Sequence, residues 1–192
     1  MSGFYIAGAF LFNTIFSLII YLLWLRIFLR YYRVSSLHPF GRLIFTLSDP
    51  LVNPIERLVY RGKKRLPQYD WCCLGLIIVV EIIKFLLLGL IALKILMPPL
   101  YLLLYVAADL IIQPLDILFY ALLIRIIISF FNTQYQHHPV IDIVMLITAP
   151  LIKLGLRIVP NISGFDFGPY IVLIMLKVIT LFIRGSLPVM FM

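Results

Sequence analysis

The sequence predicts an all-α membrane protein: four transmembrane helices in two tandem repeats of the same orientation, each repeat carrying an amphipathic interfacial helical segment on the cytoplasmic side. Three observations predict it. Of 192 residues, 64% are hydrophobic and 12% charged, and the mean hydropathy is +1.11, far from the roughly 25% charged fraction of a soluble domain. Four apolar runs are each long enough to cross a bilayer core roughly 30 Å thick. The chain also repeats itself: Arg26, Pro39, Asp49, Pro50, Arg57 and Asp70 return as Arg125, Pro139, Ala149, Pro150, Arg157 and Asp166. The separation is 99 residues at the first arginines, 100 from Pro39 to Arg57 and 96 at the aspartates. Duplication on that scale is more specific than any short motif, and it divides the chain into units 1–97 and 98–192.

The spans are expected at 4–29, 71–97, 100–131 and 167–187. Met1, Ser2 and Gly3 lack the basic region of a signal peptide, so the first run is read as a span. Pro114 lies inside the long third run and predicts a kink, a strong tilt or a partly interfacial start there. Pro98 and Pro99 form a tight turn between the second and third spans, which puts both long connections, 30–70 and 132–166, on one side of the membrane. Nine of the 16 Lys and Arg residues lie between Arg26 and Arg65, whereas the opposite side has little beyond Lys94 and Arg184. Positive charge predicts cytoplasmic connections and periplasmic termini. Repeats of the same orientation predict an approximate two-fold axis along the membrane normal.

The connections have helical periodicity. Leu51, Val52, Ile55, Leu58 and Val59 share one face from Pro50 onwards, with Asn53, Glu56, Arg57 and Arg61 on the other. In the second unit, Leu151, Ile152, Ile158 and Val159 oppose Lys153 and Arg157. Pro50 and Pro150 suit first helical positions, with Ser48, Asp49 or Thr148 as caps. Each connection is therefore expected to be two short helices bent at proline, since the residue before proline disfavours the helical region. The basic run Arg61, Lys63, Lys64, Arg65 is expected to hold anionic lipid, at about 1 kcal/mol per basic residue near the surface.

Around Asp49-Pro50-Leu51-Val52-Asn53-Pro54, and from Ala149-Pro150 to Arg157 followed by Pro160, Gly164, Asp166 and Pro169, the chain resembles the YggT family over nearly its whole length. The second unit is close to the family pattern. The first departs from it: Arg61 to Arg65 is a basic insertion, Gly164 lacks a counterpart and Cys73 replaces Pro169. The resemblance implies a multi-pass bacterial inner-membrane protein tied to osmotic or potassium homeostasis. The similar YlmG branch is linked to nucleoid distribution, division and cytochrome complex biogenesis. No enzyme chemistry comes with the resemblance.

Ionisable groups within the bilayer cost at least about 2.5 kcal/mol each on insertion scales, so Glu81, Lys84, Asp109, Asp116 and Lys177 need partners. The 96-residue offset superposes Glu81 on Lys177, which suggests an ion pair between the repeats; the alternative partner for Glu81 is Lys84, three residues along the same helix. Asp109 and Asp116 share a helical face with Gln113 between them. They either line a cation path or bond Asn13 and Thr14 as polar glue. Arg26 and Arg125 are expected to snorkel to lipid phosphates, and Asp70 and Asp166 to cap the spans they precede. Adjacent Cys72 and Cys73 read as small packing residues. His38, His137 and His138 lack the further ligands a metal needs.

There is no nucleophile elbow, phosphate-binding glycine loop or metal-ligand cluster; neither enzyme chemistry nor a cofactor is expected. The favoured reading is a membrane scaffold or assembly factor whose partners are the bilayer, anionic lipids and other membrane proteins or further copies of itself. The alternative is a small oligomeric channel or transporter component. Nucleic acid is not favoured as a partner, because the basic residues flank spans.

Overall fold

A computed structural model describes residues 2–34, 38–60, 70–93, 98–130, 139–158 and 167–187. The described residues form six helices: α1 (Ser2–Tyr31), α2 (Pro39–Tyr60), α3 (Trp71–Leu88), α4 (Pro99–Phe130), α5 (Pro139–Ile158) and α6 (Gly168–Gly185). A π-helical turn, Gly89–Leu93, continues α3.

Within α1, α3, α4 and α6, the segments Ala7–Tyr31, Trp71–Ile91, Pro99–Ser129 and Gly168–Gly185 are long and apolar enough to cross a membrane. Their outward faces are apolar too: Phe10, Leu18, Leu103 and Phe182 are all exposed. With hydrocarbon outside and inside, helices are the only open-ended structure that satisfies every backbone group.

The ends follow local chemistry. Asp70 accepts the Cys73 amide at 3.3 Å and so caps α3, as expected. At the end of α1, Val34 N donates to Leu29 O at 2.9 Å and Arg33 N to Arg30 O at 3.1 Å, with Arg33 at φ +52°. This is the six-to-one and five-to-two pattern of a helix terminated by a left-handed residue.

Each connection contains one continuous helix, not two bent at proline. Pro50 and Pro54 lie inside α2 and Pro150 inside α5, so Pro50 and Pro150 are not helix starts; Pro39 and Pro139 open the helices. Ser48 and Thr148 do not cap. Their hydroxyls donate back to Ile44 O at 2.7 Å and Val144 O at 2.6 Å, the bond such residues make inside a helix. Packing carries the helix through the proline. Ile44, Ser48 and Val52 of α2, and Val144, Thr148 and Ile152 of α5, are buried against the spans. The buried stripe also departs from the expected faces: Leu51 and Leu58 are exposed and Glu56 turns inward. Likewise α4 runs unbroken through Pro114.

Two cores occupy corresponding places in the two halves, with Leu23 and Leu122, and Val52 and Ile152, matched by the sequence offsets. Ile20, Leu23, Val52, Cys73 and Ile77 form one between α1, α2 and α3; Leu122, Ile152, Val172 and Leu176 form the other between α4, α5 and α6. The halves meet where α3 packs on α4 and where Leu29 and Ile44 pack on Ile143 and Ile147. The expected two-fold symmetry is not obeyed, since α1 and α6 make no contact comparable to that of α3 and α4.

The second half is closed by an approach that only glycine permits. A Cβ on Gly155 would meet Gly168 O at 2.5 Å and Val172 Cγ2 at 2.7 Å, whereas one on Gly75 would meet nothing within 4 Å. Gly155→Ala is therefore expected to destabilise the protein by about 1–3 kcal/mol, the usual cost of overpacking, and Gly75→Ala to leave it within about 0.5 kcal/mol, as for a surface change. Reversible unfolding in mixed micelles measures both.

Candidate functional site

Two buried clusters of polar and charged groups interrupt the apolar bundle. The first lies where α1, α2 and α3 cross. Arg26 is buried, and its Nη1 donates to Ser48 Oγ at 2.8 Å and Asp49 Oδ1 at 2.7 Å. Its Nε donates to Asp70 Oδ2 at 3.3 Å, and its guanidinium lies 5.5 Å from the Phe45 ring centroid. One turn later, Arg30 Nη1 lies 2.5 Å from Asp70 Oδ2 and 3.2 Å from Glu56 Oε1. Asp70 thus holds both arginines as well as the start of α3. Snorkelling is overturned for Arg26, because three acceptors inside the bundle compete with lipid phosphate and win.

The second half keeps the arginine and loses the two acids of the surface helix; Asp166, the counterpart of Asp70, lies outside the described residues. Arg125 Nη1 donates to Thr148 Oγ1 at 2.9 Å and reaches Met145 O at 3.4 Å, so it too turns inward. Ala149 and Leu156 stand where Asp49 and Glu56 stand in the first half. Beside the first cluster an apolar groove of about 270 Å³ is lined by Ile27, Phe28, Tyr31, Tyr32 and Trp71. Burial pushes the Tyr32 phenol above its ordinary pKa.

The second cluster joins α3 to α4 inside the spans. Lys84 Nζ lies 2.7 Å from Glu81 Oε2 and 2.6 Å from Asp109 Oδ2, and 4.5 Å from the Phe85 ring centroid. Gln113 Nε2 donates to Glu81 Oε1. Glu81 Oε2 faces Lys84 without hydrogen-bond alignment, and Gln113 Oε1 is buried without a hydrogen bond among the described residues. Further along α4, Asp116 Oδ2 takes Arg184 Nη2 at 2.7 Å, tying the end of α6 to the middle of α4.

Of the two candidate partners for Glu81 the structure gives Lys84, and it corrects both readings of Asp109 and Asp116. Glu81 pairs with Lys84 in its own helix, and Lys177 lies 5.0 Å above the Phe119 ring, because α3 meets α4 and not α6. Asp109 and Asp116 neither form a free acidic row nor bond Asn13 and Thr14; each holds a cation, and the Thr14 hydroxyl donates to Phe10 O in its own helix. Arg57, Lys153 and Arg157 are exposed. Arg61, Lys63, Lys64, Arg65, Asp166, His137 and His138 lie outside the described residues. Sequence reasoning missed the roles of Arg30, Glu56, Ser48 and Thr148. A signal was present: a hydroxyl or acid recurs 22 or 23 residues after each inward arginine.

Four apolar spans, two flanking helices and buried charges that lock helices together define a multi-pass α-helical membrane protein. The family model for CCB3/YggT matches residues 5–91 and again 104–187. The chain belongs to the CCB3/YggT family. It is 23% identical over 178 residues to the YggT protein of Escherichia coli (strain K12), a match covering 90% of this chain and 86% of that protein. The YggT protein of Escherichia coli O157:H7 matches to the same extent. No solved structure matches the chain.

Breaking a buried ion pair from one side costs about 3–5 kcal/mol, whereas an exposed pair contributes under about 1 kcal/mol. Asp70→Ala should therefore unfold the protein far more readily than Asp49→Ala, whose side chain is 44% exposed. At the second cluster, Lys84→Met alone strands two acids in hydrocarbon and lowers stability severalfold more than the triple change Lys84→Met, Glu81→Gln, Asp109→Asn. Unfolding in mixed micelles, read as a mutant cycle, tests both statements.

Proposed function

We propose that this protein is a non-catalytic scaffold of the bacterial inner membrane: two tandem family units whose α2 and α5 lie at the cytoplasmic surface, holding anionic lipid and organising membrane partners. One observation carries this reading: each of the acids Glu81, Asp109 and Asp116 within the spans has a cation at ion-pair distance. Groups neutralised in this way stabilise helix contacts and leave no charged row for a migrating ion.

The outer helices supply the surface. Arg42 and Arg57 of α2, and Lys153 and Arg157 of α5, are exposed on helices that also expose Leu51, Leu58 and Leu154. Apolar and basic groups on one helix suit the boundary between acyl chains and anionic headgroups. The positive charge on these helices and on the connections supports a cytoplasmic orientation with periplasmic termini.

Reconstituted in liposomes, the protein should produce no potassium flux above that of protein-free vesicles. A flux that Asp116→Asn abolishes would overturn the scaffold reading in favour of a channel or transporter component in osmotic homeostasis. Orientation has its own test. A cysteine replacing Arg65 should resist a membrane-impermeant maleimide in intact cells and react after permeabilisation.

A further inference from the structure

The joint between the two halves is one-sided. On the first half it uses Glu81, Lys84 and Phe85 of α3 with Leu29 and Ile44; on the second it uses Val106, Asp109 and Gln113 of α4 with Ile143 and Ile147. The sequence offsets give each of these residues a counterpart in the other half; Val144 and Thr180, the counterparts of Ile44 and Lys84, are buried within their own half, but several of the others are open. Phe85 is 6% exposed and its counterpart Leu181 57%; Ile143 and Ile147 are 4% and 3% exposed, and their counterparts Leu43 and Leu47 are both 54%. Val106 is buried and its counterpart Ala7 exposed. A two-fold arrangement would cover both members of each pair. The halves are instead packed head to tail, so each end of the chain bears one half of the same joint.

Polar groups mark the open faces as unfinished. Lys177, the counterpart of Glu81, begins the tenth position of α6, about 14 Å from its start at 1.5 Å per residue. Among the described residues its ammonium faces only the Phe119 ring, at 5.0 Å. On the open face of α1, Asn13 is exposed within a span and makes no side-chain hydrogen bond among the described residues, and Thr14 is the counterpart of Gln113. An ammonium and an amide left to hydrocarbon are both costly.

We propose that a second copy of this chain completes the joint: the outer face of α1 and α2 in one copy seats on α6 and α4 of the next, as the second half seats on the first within the chain. Asn13 Oδ1 and Thr14 Oγ1 then accept from Lys177 Nζ across the copies, where Gln113 meets Glu81 inside. Ala7 packs on Leu181, and Leu43 and Leu47 cover Ile124, Ile127 and Ile128. A head-to-tail contact leaves a free face on every copy added, so assembly stops only when a ring closes. This rests on reading the chain as two equivalent units, and is independent of whether the assembly recruits partners or passes ions.

The test uses full-length chains in native membranes. Two differently tagged copies carry Ala7→Cys and Leu181→Cys, the counterparts of Val106 and Phe85, which share a core. Mild oxidation should link them only when both are present. The pair Leu47→Cys and Ile128→Cys, counterparts of Ile147 and Leu29, should behave the same way. The parent chain, whose Cys72 and Cys73 are buried, should give no link. If Ala7→Cys links to itself and not to Leu181→Cys, copies meet about a two-fold axis and the proposal fails, as does the reading of the joint as repeated. Absence of both mixed links overturns it whether the chain is monomeric or assembled. Neither failure touches the liposome result on ion flux.

Discussion

A charge inside hydrocarbon must have its counter-charge within reach, and that requirement fixes how these helices sit. Arg26 of α1 can be buried, and Arg30 half-buried, only if acids arrive from elsewhere, and they do: Asp49 and Glu56 from α2, Asp70 from the head of α3. Three helices are thereby locked at one crossing. Lys84 imposes the same demand within the spans, and Asp109 on α4 meets it. Apolar packing between spans carries little specificity when lipid is as apolar as leucine. Charge and close contact supply the register instead.

The two halves satisfy the same architecture by different means. In the first, a salt-bridged knot holds α2 to α1 and α3. In the second, Arg125 finds a hydroxyl and a backbone carbonyl, while Gly155 lets α5 approach the backbone of Gly168. Ile55 and Cys72 occupy those glycine positions in the first half, where no such approach is open. Duplication has therefore kept the position of the inward arginine, the hydroxyl it donates to and the stripe of buried residues, while the acids that α2 contributes have apolar counterparts on α5. That divergence also breaks the symmetry of the joint, since Lys84 and Asp109 have Thr180 and Phe10 as counterparts.

Much of this was legible in the sequence. Span number and approximate limits follow from run length against bilayer thickness, and the family was readable from the proline, arginine and aspartate positions around the connections. Asp70 as a cap follows from a carboxylate directly ahead of an apolar run. Local rules failed where tertiary packing outweighed them: Pro50 and Pro150 are helix breakers by propensity, yet a buried face carries each helix through.

The sequence by itself determined that lipid is the solvent, that the chain has two like units, and that its buried ionisable groups require partners. Which partners they find was decided by tertiary structure. Equal depth made Glu81 and Lys177 candidates for each other, but a helix contacts only those neighbours its packing brings within a few ångströms, and α3 lies on α4. Periodicity reports that a group faces inward. Only the arrangement of helices sets what stands opposite, because ion pairing falls off over distances shorter than the width of one helix.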